Sequence, residues 1–246
     1  MSSQRRDEWI NYDDRQLDYH RKQWDDPKFS TVAFYEFVKD RLDDGETVVD
    51  LGAGTGAVTA YMAERHNRIN FVAADFVEDF LQIGKNIAKK RDLQNLTFEQ
   101  MDWLNLQSDR RFGGVISSQT LSWLNNPSVA LGQVFDKFKP NWFALTSLFY
   151  EGDITCTIEI EEHQIGRKSF YNIYSLPEIN RIAKNHGYSI TRHEKFKMPV
   201  DIQAPDDQNY MGTYTRRIED DIENPERLQI SGPLLMPWYM LMFERV

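Results

Sequence analysis

The heptapeptide Asp50-Leu51-Gly52-Ala53-Gly54-Thr55-Gly56 constrains this chain more than any other segment. It continues Thr47-Val48-Val49, a β-branched run suited to a buried strand, and it precedes a helical stretch from Ala57 to His66. Glycines between a strand and a helix permit a tight turn and let backbone approach a ligand closely. Asp75 follows the next expected strand, Phe71 to Ala74, ~20 residues beyond the turn, where a carboxylate can accept hydrogen bonds from both hydroxyls of a ribose. Turn and carboxylate together define a nucleoside site. The spacing is G-x-G-x-G, whereas a dinucleotide fingerprint reads G-x-G-x-x-G and aims a helix N-terminus at a pyrophosphate.

Around this motif, strands and helices alternate. Gln4 to roughly Arg41 reads as two helices about a turn at Pro27, with Trp9, Tyr12, Leu17, His20 and Trp24 at near-helical intervals on the first. The second, Ser30 to Leu42, begins with a Ser or Thr cap and carries Phe34, Phe37, Val38 and Leu42 on one stripe. Further along, Phe76 to Lys90 and Pro127 to Phe138 read as helices, while Leu96 to Gln100, Gly114 to Ser118 and Phe143 to Phe149 read as strands. Asp153 to Gln164 alternates polar and apolar residues like a half-exposed strand. It is followed by a strand Phe170 to Tyr174, a helix Leu176 to Gly187 and a strand Ser189 to Phe196. Pro199 to Asn224 reads as a polar loop, and Trp238 to Arg245 as the last strand. Such alternation predicts a mostly parallel, doubly wound α/β sheet covered on both faces, with the ligand beyond the carboxyl ends of the strands.

Composition narrows the partners. With 29 basic and 38 acidic side chains the net charge is −9, a field that repels nucleic acid and anionic membrane surfaces. Cys156 is the only cysteine, which removes internal disulfides and thiolate-rich metal sites and fits a reducing cytoplasm. No metal is expected. Met1 to Arg6 lacks the apolar core of a signal peptide, and no apolar run is long enough to span a bilayer. Metalloprotease, P-loop and α/β-hydrolase motifs are all missing.

With its acidic residue directly before Leu51-Gly52, the glycine turn resembles the first motif of class I S-adenosylmethionine-dependent methyltransferases. Further matches follow in the family's order across roughly residues 45 to 150. Met101-Asp102-Trp103 resembles the segment that meets adenine, and Ser118-Gln119-Thr120-Leu121-Ser122-Trp123 the segment beside the transferred methyl. Gly113-Gly114 departs from the family, many of whose members carry aspartate there, and the second half of the chain diverges more. Segments around Gly212-Thr213-Tyr214-Thr215, Leu228 to Pro233 and Met236-Pro237-Trp238-Tyr239 are similar to a bacterial subgroup from capsular and surface-sugar gene clusters.

The resemblance implies a Rossmann-like methyltransferase fold: a seven-stranded sheet whose last strand is antiparallel. One domain would span 1–246, with a helical cap at 1–42, a cofactor core at 43–150 and substrate-side insertions at 151–175 and 199–235. It implies S-adenosylmethionine as cofactor, held by Asp50, Gly52, Gly54, Gly56, Asp75, Phe76, Asp102, Trp103 and Gln119, with His20 and Trp24 on a helix that either closes over it or only covers an apolar face. An aromatic pair such as Phe76 and Trp103 offers adenine flat apolar walls, or simply fills the core. His163, Tyr150 and Tyr214 are the catalytic candidates, the histidine to deprotonate a hydroxyl. Tyr171, Tyr174 and Tyr210 join them as pocket candidates, and Arg167, Lys168, Arg216 and Arg217 as counter-charges for an anionic substrate. The expected acceptor is an oxygen of a small molecule such as a sugar or a phosphorylated or carboxylated metabolite. A small amine, or cofactor binding without catalysis, are the alternatives, and a homodimer is left open.

Overall fold

In the computed structural model, which describes residues 14–107, 110–164, 166–204, 206, 213–218, 227–231, 234–235 and 238–245, the alternation becomes a twisted sheet between two apolar layers. Two helices lead in, α1 (Asp14–Lys22) and α2 (Phe29–Val38). The core then runs β1 (Thr47–Leu51), α3 (Ala57–Ala63), β2 (Asn70–Asp75), α4 (Glu78–Lys90), β3 (Leu96–Gln100), β4 (Gly114–Ser118), α5 (Pro127–Gln133) and β5 (Trp142–Tyr150). An insertion supplies the hairpin β6 (Glu159–Glu162) and β7 (Arg167–Phe170) and the short β8 (Tyr174–Ser175). After α6 (Leu176–Asn185) and β9 (Tyr188–Phe196) come β10 (Thr213–Arg217), β11 (Arg227–Ser231), β12 (Leu234–Leu235) and β13 (Trp238–Arg245).

The main sheet has the order β3-β2-β1-β4-β5-β13-β9. Strands β1 to β5 pair in parallel, and β13 is antiparallel to both β5 and β9. The seven expected strands are therefore there, and β8 adds an eighth by pairing with the end of β5. Strand order reverses between β1 and β4, which places the switch point beside the glycine turn.

Successive side chains of a strand point to opposite faces, and β1 shows what that does. Val48 joins Phe34, Met62, Phe71 and Ile116 in the layer under α2 and α3. Val49 and Leu51 join Leu131, Phe143 and Ile179 in the layer under α5 and α6. Both layers are closed, so the continuous apolar run reads as a strand buried on its two faces.

Several expectations need correction. Ser30 does not cap α2, which starts after Lys28 without a side-chain cap. Only Glu159–Glu162 of the Asp153 to Gln164 stretch is strand, extended by an isolated bridge between Cys156 and Ile173. The Pro199 to Asn224 loop contains β10, which pairs with β11 in a separate three-stranded sheet with β12. Trp9, Tyr12 and Tyr210 lie outside the described residues.

The insertion is fastened to the core by a buried polar network. Asn172, with no exposed surface, receives the Ile158 N–H and donates to the Leu124 carbonyl and the Tyr174 hydroxyl, while its own N–H reaches the Ser122 carbonyl. Ser122 in turn bonds the hydroxyl of Ser147 on β5. Removing one hub of such a network strands several donors away from water. Asn172→Ala is expected to lower unfolding free energy by about 1–3 kcal/mol, measured by urea denaturation.

Candidate functional site

The glycine turn is built by backbone. The N–H groups of Gly52 and Ala53 both donate to the Ala74 carbonyl at 2.9 Å, tying the loop to the end of β2. All three glycines have positive φ, +73°, +57° and +80°, in the region side chains disfavour. Their surroundings differ. A Cβ on Gly52 would lie 2.4 Å from Thr120, and one on Gly56 would lie 2.8 Å from Phe98, so these two are small for the protein's own packing. Gly54 alone meets nothing closer than the His20 imidazole at 3.5 Å. It is the glycine that the protein's own packing does not require to be small.

Two carboxylates adjoin this turn. Asp75 is half-buried at the end of β2 and accepts the Gly54 N–H at 2.7 Å and the Val77 N–H at 2.9 Å. Asp50 is buried on the α3 side, where Oδ2 accepts the Thr59 hydroxyl at 2.6 Å and Oδ1 has no partner. Burial is the main cause that pushes the Asp50 carboxyl up to about 7, with the neighbouring Asp75 adding to it. Burial likewise raises Asp75 against the pull of its backbone donors. Neither carboxylate pairs with a cationic side chain among the described residues.

An orphaned acceptor and two uncompensated carboxylates suit a ligand that carries positive charge and hydroxyls, and they repel a pyrophosphate. S-adenosylmethionine, with a sulfonium, an ammonium and a ribose, has that chemistry. The residues present fit it: Asp75 for the ribose, Gly54 for close approach, Asp50 for charge.

The remaining candidates fall into three groups. Gln119, Asp102 and Phe76 sit at the carboxyl ends of β4, β3 and β2. Gln119 has a positive φ of 61°, costly for a side-chain-bearing residue, and its amide donates to the Ser30 hydroxyl of α2 at 3.1 Å. Asp102 accepts the Leu104 N–H at 3.0 Å and begins a single helical turn. Phe76 is half-buried immediately after Asp75.

A second group supports from behind. Trp24 is buried, and its indole N–H is spent on the Thr55 hydroxyl at 3.1 Å, so it braces the glycine turn. Arg91 holds it there, bonding the Trp24 carbonyl at 2.7 Å and Asp25 at 2.6 Å. Trp103 does not offer its ring to adenine. Its indole lies in the core against Phe143 and donates to the Ala130 carbonyl at 2.7 Å, because the chain turns there and sends the side chain under α5.

The third group stands apart. His163 is 83% exposed, in the turn between β6 and β7. Arg167 and Lys168 pair with Glu162, Glu159 and Glu161 on the same hairpin, and Arg217 with Asp201, so these charges are already spent. Tyr150 is 48% exposed at the end of β5, and Tyr214 is half-buried on β10 with the Arg216 guanidinium over its ring. Tyr174 is buried in the Asn172 network and Tyr171 packs on Trp123.

His20 is what sequence reasoning undervalued. Its ring sits over Gly54 and against Phe80, with centroids 4.7 Å apart, and burial brings its basicity down to about 4, so it is neutral at pH 7. Helical spacing from Trp24 was the available signal.

Comparison with known proteins gives three findings. A family model described as a methyltransferase domain matches residues 42–211, well over half of the chain. The release factor glutamine methyltransferase of Aliivibrio fischeri is 27% identical over 116 residues, 46% of this chain and 40% of that protein. The malonyl-[acyl-carrier protein] O-methyltransferase of Bacillus cereus is 28% identical over 119 residues, 48% and 43% respectively. The chain thus spans about two fifths of the length of these curated relatives. Among solved structures, the [4+2]-cyclase SpnF superposes with a TM-score of 0.62 at 16% identity, covering 88% of this chain and 81% of that one, a likeness of fold.

Asp50 sets a pH dependence. A carboxyl raised from 3.8 to about 7 stabilises the fold most below pH 3.8, and that contribution is lost as pH rises through about 7. Asp50→Asn is therefore expected to melt ~2–4 °C higher than the parent at pH 8 in differential scanning calorimetry without ligand. Its affinity for S-adenosylmethionine should fall at least tenfold and lack the rise between pH 6 and 8 expected of the parent.

Proposed function

The chain belongs to the methyltransferase-domain family, with S-adenosylmethionine as its cofactor, and from that premise we propose that it methylates an anionic oxygen of a small molecule. What supports the acceptor type is that none of the three expected bases is buried: His163 and Tyr150 are exposed, and Tyr214 is half-buried under Arg216. His163 is in solvent, and burial raises the Tyr174 hydroxyl and leaves it a poor proton acceptor at neutral pH. A hydroxyl acceptor needs its proton removed, whereas a carboxylate or phosphate oxygen arrives without one.

When bound, the cofactor supplies a methyl on a positively charged sulfur, and that charge disappears as the methyl leaves. The chain's own residues provide the setting. Asp75 and the Gly54 backbone orient the nucleoside, and Asp50 balances the cationic end. His20, neutral, closes the cleft without adding a repelling charge. Gln119, held in its strained conformation by Ser30, fixes the segment after β4. Positioning of this sort contributes up to ~7–11 kcal/mol in favourable cases. The two curated relatives act on different acceptors by name, a release factor glutamine and an oxygen of malonyl-[acyl-carrier protein]. The second supports an oxygen acceptor here.

Titration calorimetry and product mass test this together. The parent should bind S-adenosylmethionine, and Asp75→Ala should bind it at least 30-fold more weakly, a loss of ~2 kcal/mol. Incubation with methyl-labelled cofactor and panels of carboxylates, phosphates and amines should label oxygen in the first two classes. Labelling confined to amines, or binding without turnover, would reject the oxygen acceptor.

A further inference from the structure

Strand β9 is the edge of the main sheet, and between it and α2 lies a groove of about 420 Å³. Its floor is apolar and buried: Phe37, Phe196 and Met240. Its wall is apolar and left in water, with Phe29 50% and Val32 39% exposed. Ligand pockets have this size and this mixture of apolar lining with a few polar groups. Exposed apolar side chains beside a buried apolar floor gain free energy when a guest covers them.

The charged rim is selective. Glu36 is engaged by Lys39 and Arg192 by Asp40. Lys195 and Lys197 line the same groove, and among the described residues neither is in an ion pair. Against them stands only Glu194, so the end of β9 offers a surplus of positive charge in a chain whose net charge is −9.

Helix α2 links the groove to the segment after β4. Ser30 of α2 holds Gln119 after β4, and Ala33, one turn along the same helix, lines the groove. Ala33 packs in one cluster with Phe196 and with Trp123, which follows Gln119 in the same segment.

We propose that this groove seats the methyl acceptor, and that the acceptor is an amphipathic anion: an apolar body over Phe37, Phe196 and Met240, with an acidic head toward Lys195 and Lys197. This rests on the methyl-transfer reading above and supplies its substrate class.

Decanoate and decyltrimethylammonium serve as probes, titrated calorimetrically into protein saturated with S-adenosylmethionine. Decanoate is expected to bind more tightly. The double variant Lys195→Glu, Lys197→Glu should weaken decanoate about tenfold and strengthen decyltrimethylammonium. Val32→Asp, at an exposed position, should weaken both about tenfold with an unchanged melting curve. Cofactor affinity should move less than twofold in either variant. Decanoate binding indifferent to both variants overturns the proposal, as does sedimentation showing a dimer that Val32→Asp disperses, since a second copy would then be the occupant. Loss of cofactor binding in the parent would instead strike the methyl-transfer reading and leave the probes' preference standing.

Discussion

The hydrogen bond from the Gly54 N–H to the Asp75 carboxylate, 2.7 Å long, joins the two parts on which the site depends. It crosses from the turn after β1 to the end of β2, and it holds a carboxylate at the mouth of the sheet by backbone donors alone. Asp50, one strand residue before the turn, is buried with one oxygen unanswered. Two acidic groups in a poorly solvated place, with no cationic side chain among the described residues to balance them, cost stability in the free protein. A binding site commonly carries that kind of deficit, because the ligand removes it.

The rest of the structure serves this arrangement. The parallel register of β1 with β2 and β4 sets the depth of the turn, and Thr120 fills the space that a side chain on Gly52 would take. Trp24, pinned by Arg91, presses α1 onto Thr55 and so brings His20 over Gly54. On the opposite side of the switch point, Gln119 is forced into a left-handed conformation and tied to α2. The insertion is anchored through Asn172 to the turn at Ser122. Each link joins the carboxyl end of a strand to a covering element.

How much of this was legible depended on distance along the chain. The strands at Leu96–Gln100, Gly114–Ser118 and Trp238–Arg245 were readable to the residue, since a short apolar or β-branched run with turn residues beside it is a local signal. Asp75 was readable because one crossover unit has a fixed length. The reasons for the glycines were only partly readable: spacing reveals that a turn needs them, while Thr120 against Gly52 and Phe98 against Gly56 are contacts across 68 and 42 positions that no local pattern announces. That the Trp103 ring fills the core was illegible for the same reason, as its motif position says nothing about which way the ring points. β10 was missed because Thr213–Arg217 is polar throughout its length, and β11 because the alternation of Leu228 and Ile230 spans only five residues. His163 looked chemical by residue type, and its solvent-exposed hairpin turn could be seen only in three dimensions.

The central claim is that buried acidity at the glycine turn is what a cationic nucleoside neutralises. Calorimetric titration of S-adenosylmethionine at pH 6.5, repeated in buffers of different ionisation enthalpy, counts the protons exchanged on binding. The account predicts that binding releases protons, a substantial fraction of one per site, as Asp50 gives up its hydrogen to face the ligand's positive charge. Binding that exchanges none, or no binding at all, would contradict it.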